Sequence, residues 1–214
     1  VIVHGCCGME RGKGFANYLI RTWRMMHSVD WISSAVCGRP YRGMRQNYGF
    51  TKRLYFGANG FSHLNMNIGE DDLFMSRIIA PGNVSVVLSP RATLREKSWG
   101  GLRWWIGTQR FFGGAIPFYP LWVKNFIQWE LGSRILFWLA AIVALAVVPW
   151  GFKIAAGVLL LARFAIVLVE ARRISRRLGE EKICGRYFLY DLLSPFFALL
   201  LGLLLLRKDE RVWR

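Results

Sequence analysis

A chain of 214 residues has room for one domain of about 100–150 residues and a smaller unit beside it. Its net charge of +16 is spread over both parts: residues 1–133 carry 16 Lys/Arg against 7 Asp/Glu, and residues 134–214 carry 13 against 6. Nucleic acid would require a binding module, and none is recognisable. With 54% hydrophobic residues gathered into long runs near the C-terminus, the charge is read as serving an anionic membrane surface and phosphate-bearing ligands.

From the N-terminus, Val1–Val3 reads as an interior strand and Gly5–Gly8 as a loop. The chain starts at Val1 rather than Met, so it is expected to be the C-terminal part of a longer protein. Cys6, Cys7, Cys37 and Cys184 form no Cys-x-x-Cys pair and have no His at metal spacing, which favours reduced thiols over a disulfide or zinc site. Phe15, Leu19, Trp23 and Met26 recur at helical spacing and predict an amphipathic, core-facing helix over about 15–26. Trp23 and Trp31 are expected to fill the core, and His4, His27 and His63 are read as isolated packed or surface residues. Residues 39–50 form a turn-rich loop, and Ser85–Leu88 a short strand after the Pro81-Gly82-Asn83 turn. Alternating strand and helix signals predict an α/β domain over 1–130. Trp99–Phe112, dense in aromatics, Arg and Gly, reads as a bent segment near a membrane interface.

Three apolar segments follow, about 135–150, 154–170 and 187–206, with a basic loop at 171–186. The first two predict a tight transmembrane hairpin turning at Pro149-Trp150-Gly151. Its turn carries only Lys153, whereas Lys124, Arg134 and the Arg172–Arg186 cluster flank its ends. That asymmetry puts both ends, and the N-terminal domain, on the cytoplasmic side. Arg163 at membrane depth needs a partner, Glu170 on the same face being one candidate, or must snorkel to the interface. The third segment contains Asp191 and Pro195, consistent with a kinked, re-entrant or interfacial path.

Gly69-Glu70-Asp71-Asp72-Leu73-Phe74 places three carboxylates in a row in a chain short of acids. Two readings are open. Carboxylates in a first helical turn complement the dipole. Alternatively, one of them acts as general base on a hydroxyl nucleophile attacking an electrophilic carbon, with Arg95, Lys97, Arg103 and Arg110 neutralising a departing phosphate.

The order of these motifs resembles that of family 2 glycosyltransferases of the membrane-anchored bacterial type. Pro40 to Tyr48 matches the small-residue loop, with Gly43 and Asn47, that precedes the acidic motif. Gly60-Phe61 ahead of Gly69–Phe74 matches the Gly-Phe…Gly-[Glu/Asp]-Asp-Asp-Leu-Phe element, and Trp104/Trp105 and Gln109-Arg110 follow in order. The resemblance implies the acceptor-side part of a GT-A-like catalytic domain, followed by transmembrane helices. It implies Asp71 as the base, with Glu70 and Asp72 orienting it. Gly43, Asn47, Gln109 and Arg110 would bind substrate, and Arg103-Trp104 would stand in where Phe111 and Phe112 replace the family's second basic or Trp residue. The implied reaction moves a sugar, with inversion, from a nucleotide-sugar to a lipid-linked or polysaccharide acceptor in the inner membrane, without nucleic acid. A divalent cation, Mg or Mn, would be held by an upstream Asp-x-Asp motif that these residues lack, so this segment alone is expected to be inactive. A non-catalytic membrane scaffold or degenerate homologue that binds anionic lipid is the competing expectation.

Overall fold

The computed structural model describes residues 1–206 other than 44, 61–69, 98–99, 114, 148, 181, 184 and 186, and leaves out the side chains at 70, 71, 110–112, 201 and 204–206. Helices make up 66% of the protein, beside a small three-stranded mixed sheet and a two-stranded parallel ladder, so the balance is more helical than an even α/β alternation.

Strand β1 (Ile2–Gly5) is central, antiparallel to β3 (Tyr48–Phe50) and parallel to β4 (Val84–Val87). Its alternation is clean: Ile2 and His4 are buried while Val3 faces out. Cys7–Met9, within a stretch expected to be loop, forms a second strand β2, parallel to β5 (Leu94–Glu96). Cys7, Gly8 and Met9 carry no β-branched or aromatic strand signal, and the partner strand supplies it. Asn47 separates the two ladders, its amide donating at 2.7 Å both to the Cys6 and to the Ala92 carbonyl. A Cβ on Gly5 would collide with that amide.

Helix α1 (Phe15–Val36) is longer than its predicted 15–26. The polar run His27-Ser28-Val29-Asp30 hides the continuation, yet Met25, Ser28, Trp31 and Ile32 keep the buried face in register, with Ser28 Oγ donating back to the Arg24 carbonyl at 2.8 Å. Gly38, at φ 77°, ends it as the left-handed C-terminal residue. Helix α2 (Lys52–Gly57) is short, and α3 (Glu70–Ile78) seats Phe74, Met75 and Ile78 on Ile2 of β1. The Trp/Arg segment expected to be bent is a helix, α4 (Leu102–Gly113).

A 3-10 turn at Ile116–Phe118 leads into α5 (Leu121–Val147), followed by α6 (Trp150–Arg177) and α7 (Tyr187–Leu206). The first two are long and apolar enough to cross a membrane, with none of their most apolar windows buried inside the protein. Pro195 does not break α7, which runs through it as one helix. The ends of these helices share one core with the N-terminal part: Trp31, Tyr41, Tyr119, Val123, Ala171, Ile183 and Tyr190 form a single buried cluster.

Arg163 pairs with Asp191 of α7 through both guanidinium nitrogens, one contact being 2.9 Å, and lies 4.3 Å over the Phe137 ring. Glu170 instead pairs with Arg173 in an exposed contact. The partner is 28 residues away because α7 packs beside α6, which no spacing along one helix reveals.

His4 has no exposed surface and no hydrogen-bond partner for either ring nitrogen among the described residues. It packs edge-on to Trp31 at 5.6 Å, and its ring occupies the place of a Gly43 Cβ. Burial lowers its pKa to about 4. The unfolded chain therefore binds more protons between pH 4 and 6.5. Stability from this residue is complete above about pH 6.5 and is lost as pH falls towards 4, by about 3 kcal/mol. Thermal melts in detergent across that range should show the fall, and His4→Leu should flatten it. An unchanged profile in that variant would assign the acid sensitivity elsewhere.

Candidate functional site

Where α1, the 38–47 loop, α4, the start of α5 and the end of α7 meet, they enclose a cavity of about 190 Å³. His27 and Asp30 reach it from α1, Arg42 from the loop, Gln109 from α4, Tyr119 from the turn before α5 and Glu130 from α5. Its apolar lining includes Phe126, Ile127 and Leu131 of α5 and Ala198 and Gly202 of α7. The cavity thus has a charged part and an apolar part, the latter supplied by α5 and α7.

Arg42 organises the charged end. Its Nε donates to Asp72 Oδ1 at 3.2 Å, and its Nη2 lies 3.0 Å from Asp72 Oδ2, close in charge though not aligned as a hydrogen bond. Both side chains are nearly buried, at 14% and 7% exposure. Nη1 stands 3.0 Å from His27 Nε2. A guanidinium only donates, so Nε2 accepts and the imidazole proton is on Nδ1, which faces Asp30 Oδ2 at 3.7 Å. The chain Asp72–Arg42–His27–Asp30 thereby links the acidic helix start to the cavity wall. Burial opposes the Arg42 charge, but Asp72, then Tyr119 and Tyr41, more than restore it and raise its pKa. Burial is also the main cause of the raised pKa values of the Tyr41 and Tyr119 phenols, which stay protonated.

Asp72 is held there by the fold of α3. The apolar side of that helix is fixed on Ile2 and the Tyr48, Phe50 and Tyr55 rings, leaving the first turn to meet Arg42. Glu70 and Asp71 open the same helix, and their side chains lie outside the described residues, as does that of Arg110.

The sequence candidates divide by position. Asp72, through Arg42, and Gln109 are brought to one cavity. Gly43, next to Arg42, gives way to the His4 ring, and Asn47 bridges the two strand ladders. Arg103 is exposed, and Trp104 packs against the cluster of Met9, Ile20 and Trp105. His27, Asp30, Arg42, Tyr119 and Glu130 were not singled out for this site from the sequence. Arg42 lay within a quoted motif, but its partner is 30 residues distant.

Among the described residues, no group of three His, Cys, Asp or Glu side chains converges to hold a metal ion. The donor set of this cavity does not fit a divalent cation either: Asp72 is matched by Arg42, and Glu130 by Arg134 one helical turn on. Cys6 and Cys7 are buried free thiols and Cys37 an exposed one, while Cys184 lies outside the described residues. Burial pushes the Cys6 thiol up to about 12, so it is an unreactive packing residue. No protein-family model matches the chain, and neither a curated protein nor a solved structure matches it significantly.

Proposed function

We propose that this chain is the acceptor-side part of a GT-A-like, membrane-bound transferase that moves a sugar from a nucleotide-sugar to a lipid-linked or glycan acceptor. The observation that carries the reading is the cavity bordered by α5 and α7, which is lined by both Gln109 and Arg42, the latter paired to Asp72 in the first turn of α3. Its oily wall suits the lipid-borne part of an acceptor, and its charged end suits hydroxyls and phosphate.

In this reading the Asp71 carboxylate takes the proton of an acceptor hydroxyl. The freed oxygen attacks the anomeric carbon from the face opposite the leaving group. The bond from that carbon to the phosphate oxygen breaks, and the nucleoside diphosphate departs with the electron pair, inverting the centre. Asp72, occupied by Arg42, positions the turn that carries Asp71 and takes no proton. Gln109 and Arg110 would face the acceptor and the departing diphosphate. The helices α5 to α7 would hold the enzyme in the inner membrane as a multi-pass protein, with both ends of the α5–α6 hairpin and the N-terminal part in the cytoplasm.

Asp71→Asn in the complete enzyme tests this. Transfer of labelled sugar from a nucleotide-sugar into the lipid or glycan fraction should fall about 10²–10⁴-fold, with the thermal midpoint unchanged. Near-normal transfer in a folded variant would remove Asp71 from the reaction, and the absence of any transfer by the unaltered enzyme would favour a lipid-binding scaffold.

A further inference from the structure

A second concavity, of about 1000 Å³, opens at the beginning of α1, away from the cavity described above. Arg11 and Lys13 line it from one segment and Lys182 from the linker between α6 and α7, and among the described residues no carboxylate lines it. Arg21 beneath them is buried and neutralised by Glu180 at 2.6 Å, so the exposed charges above it are the ones open to a ligand. The floor is aromatic: Phe15, 44% exposed, stacks on Tyr18 with centroids 6.0 Å apart.

The cationic rim is held in place rather than trailing from the surface. Asn17 accepts from the Gly12 N–H at 2.8 Å and donates to the Glu10 carbonyl at 3.2 Å, clamping the loop that bears Arg11 and Lys13. The Tyr18 hydroxyl donates to the Ile183 carbonyl at 3.2 Å, tying the aromatic floor to the linker beside Lys182. Lys182 itself is at φ 57°, a left-handed conformation unusual for a lysine. It comes five residues after Arg177, the last residue of α6. The groove therefore adjoins the C-terminal end of a helix long and apolar enough to cross a membrane.

We infer that this groove binds the phosphate-bearing headgroup of an anionic membrane lipid, with Arg11, Lys13 and Lys182 on the phosphate and Phe15 against the glycerol and acyl root. Lys and Arg near a bilayer surface each contribute about 1 kcal/mol to anionic lipid binding, a factor of about five. An aromatic ring among them suits the interfacial depth. Free inorganic phosphate or diphosphate would gain nothing from an exposed phenyl ring or from proximity to α6. The inference rests on α6 being a membrane helix and is independent of the sugar-transfer reading.

Native mass spectrometry of the chain in detergent, with phosphatidylglycerol or phosphatidylcholine added, tests it. One phosphatidylglycerol should be retained in preference to phosphatidylcholine, and R11A/K13A/K182A should weaken that retention roughly a hundredfold. Phe15→Ser, which changes no charge, should weaken it several-fold. R172A/R176A/R177A removes the same charge from exposed positions on α6 and should leave the preference largely intact. Equal loss in that control, no effect of Phe15→Ser, or displacement of the lipid by millimolar pyrophosphate would each overturn the assignment.

Discussion

Replacing Arg42 with methionine is expected to destabilise the protein by about 3–5 kcal/mol, because it strands a buried carboxylate. The Asp72 side chain is 7% exposed and pairs with the Arg42 guanidinium. Truncating one member of such a pair leaves the other without the interaction that offset its desolvation. The comparison that decides is the double variant Arg42→Met/Asp72→Leu. With both charges gone, the site becomes an apolar contact beside Tyr41 and Tyr119, and most of the lost stability should return. Thermal or denaturant unfolding of the two single variants and the double measures the coupling. If Arg42→Met alone unfolds like the parent, the pair contributes nothing to the fold, and the positioning of the α3 start by Arg42 fails with it. The same single variant should also lower sugar transfer, since the turn that carries Asp71 would lose its anchor.

Arg163→Leu is expected to have an effect of similar size, about 3–5 kcal/mol, at the other end of the molecule. Asp191, with its side chain 6% exposed, would be left charged between α6 and α7. The reverse change, Asp191→Leu, should be milder. The Arg163 side chain is 24% exposed, rests on Phe137, and has the reach to snorkel towards the interface. Arg163→Leu/Asp191→Leu should recover most of the loss. Protease sensitivity of the 178–187 linker reports the docking of α7 directly. It should rise steeply in Arg163→Leu, modestly in Asp191→Leu, and little in the double variant. Equal sensitivity in the two single variants would mean that burial asymmetry does not set the energetics.

These two ion pairs also show where the amino-acid order is legible and where it is not. Each joins side chains about thirty positions apart on different elements. From the sequence, Arg163 was given a choice between Glu170 and the interface, the options within reach on its own helix. Its actual partner depends on α7 lying alongside α6. Likewise His27 read as isolated because its neighbours along the chain say nothing of Arg42 arriving at 3.0 Å from a loop beyond the end of the helix. The strand at Cys7–Met9 and the helix at Leu102–Gly113 were hidden for related reasons. In the first, pairing with β5 overrides a Cys-Gly-Met sequence of low strand preference, and in the second, the Gly, Arg and Trp composition suggested a bend where packing against α1 and α7 favours a helix.

Local chemistry alone determined a good deal of this protein. Continuous apolar runs mark the central parts of α5 and α6, expected over about 135–150 and 154–170, while the helices themselves extend further, over Leu121–Val147 and Trp150–Arg177. Strand β1, the first turns of α1 and the acidic start of α3 follow from period and helix-end charge, which act over a few residues. Only the tertiary structure decided that Asp72 meets Arg42, that Gln109 lines the same cavity as Arg42 while Asn47 and Trp104 serve the framework, and that α5 and the end of α7 contribute to its lining. Those outcomes depend on packing between distant elements, where burial makes a charge demand a partner that no neighbouring residue can supply.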